Sequence, residues 1–152
     1  MMSSIWLRDV LLAIHLLSAV IWVGGMFFAV IILRPGLAVL DAGPRLQFQM
    51  VTLKKFFFYV WHVMPLMILT GWAMVFLAWG GFGGLPWSIN VMQALGILMA
   101  LVFVYAFFGP WQRLRRAIRP APDLVPRIRS LIVTNLVLGL ITVTIGALGH
   151  VW

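Results

Sequence analysis

Three histidines, His15, His62 and His150, carry most of the metal-binding chemistry open to this sequence. Imidazole is the commonest transition-metal ligand, and its free ring nitrogen serves equally for a bare ion or for heme iron. Other chemistries have little to work with. The chain has no cysteine, which excludes disulfides, thiolate metal sites and thiol nucleophiles. It has no glutamate, and Asp9, Asp41 and Asp123 all fall at the edges of apolar segments or between them. No carboxylate therefore sits where a membrane proton relay or a coupled ion pathway would need one. No phosphate-binding loop or dinucleotide fingerprint is present. A second metal chemistry comes from His62, Met64 and Met67, an H-x-M-x-x-M run whose thioethers suit Cu(I). These three do not share a helix face, although Pro65 distorts that turn. Most of the nine methionines read as apolar filler.

What must position these residues follows from composition. The chain of 152 residues is 64% hydrophobic and 9% charged, with a mean hydropathy of +1.10. No soluble domain of this length buries so much apolar side chain. Long apolar blocks, in place of short alternating ones, exclude a β-barrel. The expected class is all-α: an integral membrane four-helix bundle forming one transmembrane domain over residues 1–152. The net charge of +8 would suggest nucleic acid in a soluble protein. Here the cations lie between apolar blocks, so a nucleic-acid role is excluded and membrane orientation explains them.

Four blocks, about 10–33, 56–79, 90–108 and 131–150, each approach the roughly 20 residues that a bilayer requires. The first is too long for a cleavable signal peptide and is expected to remain as helix one. Pro35, Pro86 and Pro110 fall just outside blocks and are expected to stop helices there. Loop one (34–55) carries Arg34, Arg45, Lys54 and Lys55 against Asp41. Loop three (109–130) carries six arginines against Asp123, whereas loop two (80–88) has no charge. The bias of cations predicts loops one and three on the cytoplasmic side, with both termini outside, in the periplasm. Trp6, Trp79, Trp87 and Trp152 then all fall at the outer level, as an aromatic belt would. The expected location is the bacterial inner membrane, with the lipid bilayer as the first partner.

Helical periodicity aims the polar residues. His15, Ser18, Ala19, Trp22, Gly25, Met26 and Ala29 share one stripe of helix one. Gln93, Gly96 and Ala100 do so in helix three, and Asn135, Gly139, Thr142, Gly146 and Gly149 in helix four, with His150 at its edge. Such stripes pack helices together, and they also leave room for a flat cofactor. His15 is the sole ionisable side chain between Val10 and Leu33. At membrane depth it is either a metal or heme ligand or an interior residue bonded to Gln93 or Thr144. It lies roughly 10 Å below the outer surface and His62 roughly 10 Å above the inner one. A ring separation of roughly 10–15 Å in depth prevents the two from gripping one metal. His62 either bonds Asn135 or Tyr105 or holds a second heme, with Arg34 or loop-three arginines at its propionates. His150, nearer the rim than His15, is either a rim histidine beside Trp152 or the second ligand on the outer half.

The residues also resemble a family. Ala13-Ile14-His15-Leu16-Leu17, Trp22-Val23-Gly24-Gly25 and Arg34-Pro35 are similar to the opening helix of copper resistance D (CopD) proteins. Pro44-Arg45-Leu46, Leu69-Thr70-Gly71, Gly109-Pro110 with Arg113-Leu114-Arg115-Arg116, and Asn135-Leu136 with Leu138-Gly139 look like its small single-bundle members. The resemblance implies copper tolerance or uptake across the inner membrane. His-x6-Trp-x-Gly-Gly also resembles helix one of HemJ-type protoporphyrinogen oxidases, which implies heme b at His15. Ala106 stands where that type has a histidine, and Gln93 or Leu95 where it has a lysine, so its reaction is not carried over. The expectation is heme b held by His15, His150 and His62 and used in electron transfer or in a membrane redox step of an oxidoreductase, with a quinone or redox protein as partner. The alternative is copper handling without heme, with the same histidines as metal ligands. A homodimer is compatible with either, and so is an accessory subunit with no cofactor.

Overall fold

The computed structural model describes residues 2–118, 121 and 123–149. His150 and Trp152, which the sequence places at the outer rim, lie outside the described residues. Four helices are long and apolar enough to cross a membrane: α1 (Ile5–Leu37), α2 (Ala42–Trp79), α3 (Trp87–Arg116) and α4 (Leu124–Leu148). No strand occurs among the described residues. The chain is an integral membrane four-helix bundle. The α1–α2 and α3–α4 connections share one end, called here the basic end; the glycine-rich α2–α3 turn marks the other. Helix α1 packs along α2, α3 packs along α4, and α1 against α4 joins the two pairs. Aromatic side chains bridge α2 and α3: Phe57 stacks on Trp111 at 5.2 Å, and Trp61 meets Phe107 edge-on at 5.2 Å.

The four expected spans are present, and each helix is longer than hydropathy indicates. Helix α2 begins at Ala42, well before the apolar block at Phe56, and α3 runs on to Arg116. Loops one and three are therefore largely helix. Hydropathy marks the interval that lies in lipid, and a helix need not stop where lipid does. The true connection between α1 and α2 is short, and Arg45 clamps it. Its Nε donates to the Leu40 carbonyl at 3.1 Å, and its Nη2 donates to Leu40 at 2.6 Å and Ala38 at 3.2 Å. Carbonyls in a short turn past a helix end have no ladder amides to bond, and a guanidinium satisfies them.

Pro35 and Pro110 correct the sequence expectation, because neither stops its helix. Proline lacks the N–H that would bond four residues back, and its ring crowds that carbonyl. Both helices widen locally into π-turns, Phe28–Ile32 in α1 and Phe107–Trp111 in α3. In the first, the Leu33 amide donates to the Phe28 carbonyl, five residues back. The wider register absorbs the proline and the helix continues. Pro65 likewise lies inside α2. Pro86 behaves as expected, just before the first residue of α3.

The small and polar stripes do face inward. Ser18, Trp22 and Met26 of α1 are buried, whereas Leu16, Leu17, Val20 and Ile21 are exposed on the flank left to lipid. A Cβ at Gly139 would come within 2.9 Å of Val23 and 3.1 Å of Met99, so α1, α3 and α4 meet closely there. Apolar side chains gain nothing by leaving lipid for one another, so this close van der Waals contact carries much of the association.

Candidate functional site

His15 projects from α1 against α2, beside Met67, Thr70 and Gly71. Its Nδ1 lies 2.8 Å from the Met67 carbonyl oxygen. That oxygen can only accept, so Nδ1 carries the proton and donates it. The Thr70 hydroxyl oxygen stands 3.4 Å from the same nitrogen and donates its own proton to the Leu66 carbonyl at 2.7 Å. Gly71 brings the α2 backbone up to the ring edge, where a Cβ would lie 3.1 Å from Cε1. The imidazole is thereby fixed in orientation and tautomer, with the lone pair on Nε2. Metal-ligating histidines are commonly held in this way, the second ring nitrogen committed to a carbonyl or carboxylate. Neither Gln93 nor Thr144 supplies the bond that sequence pairing anticipated. Thr144 is exposed and donates to Leu140 of its own helix.

His62 occupies a different environment. It lies five residues before Met67 on α2, roughly 8 Å along the axis and about 140° around it. The side chain is exposed, with Nδ1 2.8 Å from the Phe58 carbonyl one turn back and the ring 4.7 Å from Phe58. Its expected partners bond elsewhere. Asn135 donates to the Met99 carbonyl at 3.0 Å, and Tyr105 accepts from Arg127 Nη2 at 2.7 Å. The H-x-M-x-x-M run divides as its spacing indicates, with His62 outward and Met64 and Met67 buried. Among the described residues, no three His, Cys, Asp or Glu side chains gather as a metal site.

A second feature lies at the basic end and was not read from the sequence. A groove of about 700 Å³ opens between α2 and α3. Phe57, Trp61, Phe107 and Trp111 wall it, and Lys54, Lys55 and Arg115 line it as exposed cations. The Arg115 guanidinium lies 6.0 Å from the Trp111 ring centroid. The signal was present: Phe107, Trp111 and Arg115 recur every four residues, and Lys54, Phe58 and Trp61 recur at four and three. It crosses the expected boundary between membrane and loop, which conceals it.

A family model described as Copper resistance protein D (CopD) matches residues 50–148 of the chain. The match begins within α2, so it includes Met67, Thr70 and Gly71 but does not reach His15. No curated protein matches the chain. No solved structure matches it either.

Proposed function

Since the chain belongs to the copper resistance protein D (CopD) family, we propose that it binds a redox metal through His15, and that the metal is iron in heme b. The observation that carries this reading is the bond from His15 Nδ1 to the Met67 carbonyl, which leaves the Nε2 lone pair uncommitted on a ring of fixed orientation. One imidazole is enough for heme, since the porphyrin fills four of the iron's positions. A bare ion needs two or three further protein donors. The residues present fit that minimal demand: His15 would hold the iron, Thr70 and the Met67 carbonyl orient its ring, and Gly71 leaves room for that ring. The heme, when bound, supplies one-electron chemistry. The protein would contribute the His15 imidazole, its fixed orientation and an apolar surround. The role is electron transfer in the bacterial inner membrane, with the basic end cytoplasmic and a quinone or redox protein as partner. His62 takes no part, and His150 stands as the candidate for a second ligand.

Copper is the second reading. The family description favours it, and so does the face of α2 against His15. Met67, Thr70 and Met74 lie within about 60° of one another on that face. An imidazole with thioethers suits Cu(I), which would then be cargo.

The test is the visible spectrum of detergent-purified protein from heme-replete cells, oxidised and dithionite-reduced, with metal analysis of the same sample. A b-type spectrum that His15→Asn abolishes supports heme. The Asn amide can still donate to the Met67 carbonyl but offers no equivalent of Nε2, so the fold should survive. A colourless protein with stoichiometric, His15-dependent copper would favour the second reading. A protein with neither metal would overturn both.

A further inference from the structure

The groove at the basic end is independent of the His15 reading, and its chemistry is specific. Its walls are aromatic, with Phe57 stacked on Trp111 and Trp61 edge-on to Phe107. Three of its lining residues are cations and none is acidic. The cations come from two helices that sequence separates by sixty residues. Lys54 and Lys55 immediately precede the apolar stretch of α2, and Arg115 follows that of α3. All three thus stand where a bilayer places its phosphates, and the aromatic walls run from them toward the hydrocarbon.

We propose that this groove is a binding site for an anionic diacyl phospholipid. The phosphate lies among Lys54, Lys55 and Arg115, and an acyl chain lies against Trp61 and Phe107. Each juxtamembrane cation is worth about 1 kcal/mol toward an anionic headgroup, and an aromatic wall accepts a chain without desolvating any polar group. A soluble anion would use the rim and leave the walls empty. A porphyrin would use both, but no His, Met or Cys lines the groove to hold its metal. The lipid would also bridge α2 and α3, which otherwise meet through ring contacts at this end.

Native mass spectrometry of the full chain in detergent tests this, with dioctanoyl-phosphatidylglycerol, dioctanoyl-phosphatidylcholine and glycerol 3-phosphate as probes. The anionic lipid should bind one per chain and about thirtyfold more tightly than the zwitterionic one, as two cation contacts would give. The triple variant Lys54→Gln, Lys55→Gln, Arg115→Gln should lose that preference. The control Arg113→Gln, Arg116→Gln, Arg129→Gln removes the same charge from exposed positions outside the groove and should keep it. Equal binding of the two lipids, equal loss in both triple variants, or displacement of the lipid by equimolar glycerol 3-phosphate would each overturn the proposal.

Discussion

Gly71 of α2 meets the edge of the His15 ring so closely that a methyl group there would lie 3.1 Å from Cε1. An alanine at 71 has two opposed effects. It gains about 1 kcal/mol of helix propensity over glycine. It also presses a ring already fixed at Nδ1 by the Met67 carbonyl. The first effect acts on the helix and the second on the imidazole. Gly71→Ala should therefore leave thermal stability near that of the parent while weakening metal binding or shifting the visible spectrum. Thermal denaturation and the spectrum of one preparation check both halves. A destabilised protein with an unaltered metal site would contradict the assignment.

His62 offers the reverse case. Its ring is exposed and bonded to a carbonyl of its own helix, so no other helix depends on it. His62→Ala should change stability by less than about 0.5 kcal/mol, as surface substitutions do. Metal content, whether heme or copper, should be unchanged. Loss of metal in this variant would make His62 a ligand, as the second-heme expectation had it.

These two residues also show what the sequence could and could not convey. The inward stripe of α1 was legible because lipid sorts side chains strictly, so a polar group among small residues has one direction to face. The partner of His15 was not legible, because a backbone carbonyl has no sequence signature. His62 looked equivalent by the same reasoning. It escapes the rule because a histidine can bond the carbonyl four residues back and so satisfy one ring nitrogen while facing outward. Pro35 and Pro110 misled for a related reason: a π-turn absorbs a proline without leaving any mark in composition. The groove went unread because Lys54 and Arg115 become neighbours only after α2 and α3 are extended beyond their apolar blocks.

The close crossing at Gly139 gives a stability prediction. A Cβ there would meet Val23 Cγ2 at 2.9 Å and Met99 Cε at 3.1 Å. The methionine end can swing aside, but a β-branched valine on a helix has one favoured rotamer. Gly139→Ala should cost on the order of 1–3 kcal/mol of overpacking, which exceeds its propensity gain. Val23→Ala added to it should recover most of the loss, as expected for residues in direct contact. Denaturation of the two single variants and the double variant measures the coupling. Additive losses would show that the helices do not cross there.

Arg45 provides the last prediction. One guanidinium serves two carbonyls, those of Leu40 and Ala38, through two of its nitrogens. Removing it leaves the turn's carbonyls to water at an exposed connection, so the global cost should be only about 1 kcal/mol. The local cost should be larger in effect, because the turn between α1 and α2 loses its clamp. Arg45→Ala should accelerate amide exchange and proteolysis at residues 38–41 while the helices stay protected. Arg45→Lys should not rescue it, since a single ammonium cannot reproduce the planar fork. Hydrogen-exchange mass spectrometry of the three proteins decides the matter. Equal protection of that turn in all three would mean the clamp does not hold the connection.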